Sequence, residues 1–119
     1  MAIRTFTETR DTTFGNNLVM YTTWSGLLNG DSGTPYSMPG FADRAFQITG
    51  VFGVGGSISI EGSLNGTSYI VLTDPQGNAL TKTAAAIEQI SEIVKFIRPN
   101  VTAGDGTTNL TVSLIARKP

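Results

Sequence analysis

Few residues in this 119-residue chain could carry out chemistry, and carboxylates lead them. Asp31, Asp43, Glu61, Asp74 and Asp105 are the acids from which a pair flanking a glycosidic bond would be drawn, one as proton donor and one as base or nucleophile. Asp31, Asp74 and Asp105 stand directly beside Gly, Pro or Ser, where aspartate routinely bonds its own backbone in a turn, so the structural reading prevails. The chain has no His, which removes the commonest general base and metal ligand, and no Cys, which removes disulfides and thiolate ligands together. Asp31-Ser32-Gly33 lacks the alternating acids and closing Glu of an EF-hand loop. Gly50, Gly53, Gly55 and Gly56 match a phosphate-cradling loop only in composition: no helix follows to hold the anion, and hairpin turns account for them. No Ser or Lys has a nucleophile context. The expectation is a protein that is not an enzyme and uses no catalytic residue, cofactor or metal.

Charge narrows the partners. Charged residues make up 14% of the chain, against about 25% in an average soluble domain, and the net charge is −1. The eight basic residues are scattered, and with a pI near 5.2 they form no stripe able to track phosphates, so nucleic acid is not an expected partner. No run of about 18 apolar residues occurs, and the first ten residues lack the apolar core of a signal peptide. Synthesis in the cytoplasm with no membrane span is expected. Asn65-Gly66-Thr67, Asn100-Val101-Thr102 and Asn109-Leu110-Thr111 match the glycosylation triplet, as chance allows in a chain this rich in Asn and Thr.

The elements that would position these groups read as β-strands. Ser57-Ile58-Ser59-Ile60-Glu61 and Leu110-Thr111-Val112-Ser113-Leu114 place an apolar residue at every second position, the period of a strand with one face in a core. Leu18 to Trp24, closed by Ser25-Gly26, and Phe46 to Phe52 have strand composition. Tyr69-Ile70-Val71-Leu72 is a continuous apolar run, as expected of a strand covered on both sides, and Leu80 to Thr83 makes a short strand. Asp74-Pro75-Gln76-Gly77 fits a type I turn. Lys95 to Thr102 is a strand in which Pro99 should mark an edge or a bulge. Ile87, Ile90 and Ile93 permit a short helix near 84–92, although isoleucine's β-branching favours a strand equally. Residues 1–17 read as an extended arm or an edge strand and residues 29–43 as a long loop. One domain spans 1–119, an all-β antiparallel sandwich.

Aromatics and methionines concentrate in the first 52 residues. Core filling accounts for about half of them. Phe6, Phe14, Tyr36, Met38 and Phe41 are harder to bury, and aromatics on arms and loops with little charge nearby match the composition of interface cores.

Leu28-Asn29-Gly30-Asp31-Ser32-Gly33, Met38-Pro39-Gly40-Phe41-Ala42-Asp43-Arg44, Gln47-Ile48-Thr49-Gly50 and Ile60-Glu61-Gly62-Ser63 resemble stretches of small virion proteins of tailed bacteriophages. So do Asp74-Pro75-Gln76-Gly77-Asn78-Ala79-Leu80, Phe96-Ile97-Arg98-Pro99 and Thr102-Ala103-Gly104-Asp105-Gly106-Thr107. The family is the capsid decoration, or cement, proteins of short-tailed phages, and the resemblance covers about residues 25–118. It implies a jelly-roll-like sandwich on the outer surface of the virion's icosahedral head, clamping neighbouring subunits of the major capsid protein, often as a dimer or trimer on a symmetry axis. Phe6, Phe14, Trp24, Tyr36, Met38 and Phe41 are the candidate contact residues. Two alternatives stand beside it. A carbohydrate-binding sandwich would use the Glu61 to Tyr69 segment and stack Trp24 on a sugar; a tail or head-completion protein would share the fold.

Overall fold

Strand β12 (Asn109–Arg117) shows how the alternating pattern becomes a core. Leu110, Val112, Leu114 and Ala116 are buried, while the residues between them face outward. β12 is the middle of a five-stranded antiparallel sheet in the order β10 (Ala86–Gln89), β6 (Asp43–Val51), β12, β3 (Val19–Leu27) and β2 (Phe6–Asp11). This computed structural model describes residues 2–11, 19–37 and 40–118.

A second sheet packs on the first. β11 (Phe96–Ala103) and β7 (Ser57–Ser63) are its central pair. β8 (Ile70–Val71) and β9 (Thr81–Lys82) flank β7, and β4 (Ser32–Gly33) and β5 (Tyr36–Ser37) flank β11. β1 (Ile3–Arg4) adds to β4 in parallel. Taking β4/β5 and β8/β9 as interrupted single strands and counting from β3, the sheet orders are 1-8-3-6 and 2-7-4-5, the jelly-roll arrangement of two Greek keys. The core between the sheets includes Trp24, Leu27, Phe46, Ile48, Ile58, Ile60, Leu80, Ile97, Leu110 and Leu114.

The N-terminal segment is a strap. Residues 2–11 add a strand to each sheet in turn, β1 to one and β2 to the other, with Thr5 between them. Of the two readings, arm or edge strand, these residues take the edge strand, zipped into the sandwich; the rest of the segment, residues 12–17, lies outside the described residues.

Three local expectations are corrected. Ser25-Gly26 does not close β3: Leu27 pairs with Leu110 and Trp24 with Val112, so β3 carries an extra residue as a bulge, with Gly26 at φ +67°. Within 84–92 there is a strand, β10, and no helix, because Ala86 to Gln89 extend the sheet beside β6 while Ile90 alone of the three isoleucines is buried. Ile70 is 71% exposed: β8 lies at a sheet margin and is not covered on both sides.

Pro99 is neither at a sheet edge nor at the β11 bulge, which falls between Val101 and Ala103. Its partner on β7 is Ile60, whose N–H donates to Leu80 O and whose carbonyl accepts from Leu72 N, both at 2.9 Å. Ile60 therefore turns its backbone groups away from β11, and the Pro99 nitrogen turns away from β7, toward the break between β4 and β5 where no ladder bond is made. At this break Gly33 is wedged in place. A Cβ there would lie 2.6 Å from both the Pro99 ring and the Trp24 indole, so only glycine fits.

Candidate interaction surfaces

The aromatic residues expected at an interface are drawn into the sandwich. Trp24 is 1% and Tyr36 4% exposed, and Phe6 packs edge-on to both rings, 5.8 Å and 5.2 Å between centroids. The Trp24 indole N–H donates to Thr34 O at 3.0 Å. Phe41 packs against the same core, with the Lys118 ammonium 5.8 Å from its ring centroid. The strap explains the outcome: β2 supplies Phe6 to cover Trp24, and β5 supplies Tyr36 from inside the expected loop. As contact candidates, Trp24 and Tyr36 are thereby withdrawn from the surface and Phe6 and Phe41 partly so. Phe14 and Met38 lie outside the described residues.

Burial of Trp24 also removes the ring on which a sugar was expected to stack. In the Glu61 to Tyr69 segment the Arg98 guanidinium sits 3.9 Å from the Tyr69 ring centroid, so one face of that ring is already covered. Glu61 accepts from Arg98 Nε at 3.0 Å and from Asn100 Nδ2 at 3.2 Å.

The candidate carboxylates are held by hydrogen-bond or ion-pair partners. Asp74 Oδ1 accepts the Gln76 and Asn78 amides, and the Gly77 amide closes the expected turn on Asp74 O at 2.9 Å. Asp105 accepts from the Thr107 hydroxyl, the Val54 amide and the Thr107 amide, which hold its carboxyl at about 2. It thereby clips the β6–β7 turn to the β11–β12 turn. Asp43 pairs with Arg117 at 2.9 Å. No group of three or more potential metal-ligating side chains occurs among the described residues.

Two surfaces do gather exposed apolar side chains. The first is the outer face of the five-stranded sheet. There Tyr21, Ala45 and Ile115 stand in one cross-strand row, and Thr23, Gln47, Ser113 and Ile87 in the next, around a dish of about 210 Å³. Hydrogen bonds from Ser113 on β12 and from Thr23 on its own strand hold the Tyr21 phenol below its ordinary pKa.

The second is an open groove of about 380 Å³ beside β8, lined by Leu64, Ile70, Leu72, Val94 and the turn at Asn65. Buried Arg44 fixes one wall. Its guanidinium donates to the carbonyls of Val94, at 3.3 Å, and Glu92, while burial lowers its pKa. The Glu92 carboxylate is anchored by the Thr73 amide and hydroxyl, at 2.8 and 2.5 Å. The available signal for the sheet face was an apolar residue out of phase with its strand. Ile115 follows Leu114, and Tyr21 stands between Met20 and Thr22.

No protein-family model matches the chain, and no curated protein matches it in sequence. Solved structures match in fold. The SPBc2 prophage-derived protein YomS superposes with a TM-score of 0.63 at 13% identity, covering 82% of this chain and 93% of that one. Oxalate oxidase in complex with the substrate analogue glycolate superposes with a TM-score of 0.50, also at 13% identity, over 95% of this chain and 51% of its own. The chain thus spans about half the length of the oxidase. At these identities the likeness is one of fold: an all-β jelly-roll sandwich.

Proposed function

We propose that this chain is a phage virion structural protein, a head decoration protein that binds the outer surface of the icosahedral capsid and stabilises contacts between major capsid protein subunits. It acts without enzymatic chemistry or a cofactor. The observation that carries this reading is the gathering of exposed apolar side chains on two separate surfaces of a sandwich whose carboxylates are held in turns and ion pairs. A cement needs such surfaces to hold neighbours together. The sequence resemblance over residues 25–118 and the fold shared with a prophage-derived protein support it. The groove beside β8 suits an apolar side chain of a coat subunit, with Leu64 and Ile70 as its exposed rim.

The test compares heads with and without the protein. A cement binds only the assembled lattice and stabilises it by mass action, so heads lacking the protein should assemble yet fail sooner under heat or osmotic shock. Added purified protein should restore them, and its copy number should be stoichiometric with the coat. Equal heat resistance, or only a handful of copies per virion, would replace this reading with a tail or head-completion role.

A further inference from the structure

We propose that the outer face of the five-stranded sheet is the contact between two copies of this chain, packed sheet on sheet about a two-fold axis. The proposal gives the first of the two apolar surfaces to self-contact and leaves the groove beside β8 for the coat protein.

Three observations carry it. First, the face is nearly free of charge. Among the described side chains, Asp43 and Arg117 alone are charged there at neutral pH; they stand at one end and pair at 2.9 Å. The rest of the described face is Thr, Ser, Gln, Asn, Ala, Val, Tyr and Ile, so its described side chains bring no unpaired like charges to desolvate, in keeping with the depletion of charge in interface cores. Second, the large apolar residues are central. Ile115 lies on β12, the middle strand, with Tyr21 opposite it on β3, both about half exposed, and Ile87 projects from β10. A two-fold axis near Ile115 would bring the two Ile115 side chains together and set Tyr21 of each copy against the other's dish. Third, the area suffices. Strands of 6, 9, 9, 9 and 4 residues spaced ~4.8 Å apart give ~600 Å² in flat projection. The corrugated accessible surface exceeds that and approaches the ~800 Å² per partner of a standard stable interface. The other sheet is unsuited: Arg98, Glu61 and Asn100 form a charged network on its outer face.

The experiment is light scattering and sedimentation of the full chain at micromolar concentration. The expected species has twice the 12.6 kDa chain mass. Ile115→Glu places two carboxylates at the axis and should raise the dimer Kd by ~100-fold or more, as for a central interface residue. Ile115→Thr, a strand-compatible change, should weaken the dimer less, while Val54→Glu, on a distant turn, should leave it intact. Circular dichroism and thermal melting of each variant check folding. A monomeric wild type, or an Ile115→Glu variant that is folded and still dimeric, overturns the proposal. So does a monomer whose Ile115→Glu variant loses head binding, because the coat protein would then be the occupant of this face.

Discussion

Arg4 Nε lies 2.8 Å from Asp31 Oδ2, and that pair ties the first strand of the chain to the turn that leads into β4, its neighbour in the seven-stranded sheet. The Asp31 carboxylate also accepts the Ala2 amide at 3.0 Å and the Leu28 amide at 2.9 Å, while its carbonyl accepts the Val101 amide at 2.8 Å. The Arg4 side chain is 39% exposed and that of Asp31 5%. The ion pair alone contributes little at such exposure. Satisfying backbone amides at a buried carboxylate is the larger contribution.

Asp31→Ala should therefore destabilise the protein by about 2–3 kcal/mol, measured by urea unfolding at neutral pH. Burial pushes the Asp31 carboxyl up, but Arg4 and the Leu28 and Ala2 amides outweigh it and hold it below the ordinary aspartate value of 3.8. A depressed folded-state pKa stabilises above the unfolded value and is lost as pH falls through the folded one. The wild-type advantage should persist from neutral pH down to about pH 4 and shrink below it; an advantage independent of pH would count against this role.

The clip at Asp105 should follow the same sign at lower pH. Its carboxyl is held at about 2, against an ordinary 3.8, so its contribution is complete above 3.8 and disappears as pH falls through about 2. Thermal melts of wild type and Asp105→Asn should converge across that window. Amide exchange at Val54 and Thr107 should be faster in the variant at neutral pH, and unchanged exchange would dismiss the clip.

Gly33→Ala should cost about 1–3 kcal/mol through overpacking against Pro99 and Trp24, and should also perturb Trp24 fluorescence. Indole emission identical to wild type would show that the strand moves aside freely.

Ile60→Ala, at a fully buried site, should cost about 2–5 kcal/mol through lost burial and the cavity left behind. Ile70→Ala, on the groove rim, should change stability by less than about 0.5 kcal/mol. Equal costs would mean that the inner and outer faces are misassigned.

Retention on heads should change little between low and moderate salt, because apolar contact is not screened as exposed charge pairs are. Ile70→Glu should weaken retention where Asp105→Asn does not. Stripping by modest salt alone would contradict an apolar attachment. Deleting residues 2–11 would confound contact with folding, because β1 belongs to one sheet and β2 to the other.

Strand identity was legible wherever it depends on neighbouring residues. Ile58 and Ile60, and Leu110, Val112 and Leu114, alternate with polar residues, and they are core. The Asp74 to Gly77 turn closes as its residue order requires. Segments with mixed signals were not legible. Ile87, Ile90 and Ile93 suit helix and strand alike, and β6 decided the matter by offering an edge for Ala86 to Gln89 to pair with.

What the sequence alone determined is the all-β class, the inward phase of the long strands and the scarcity of chemistry, since each depends on residue type and on spacing within a few positions. What only the tertiary structure decided is which apolar residues are left outside. Trp24, Tyr36 and Phe6 come together because residues separated by up to 30 positions are joined across β2, β3 and β5, and the cover each receives is a property of its partners. Ile115 and Tyr21 remain exposed because nothing in the chain returns to cover the outer face of their sheet within the described residues. Local pattern sets which way a side chain points; long-range closure sets whether anything meets it there.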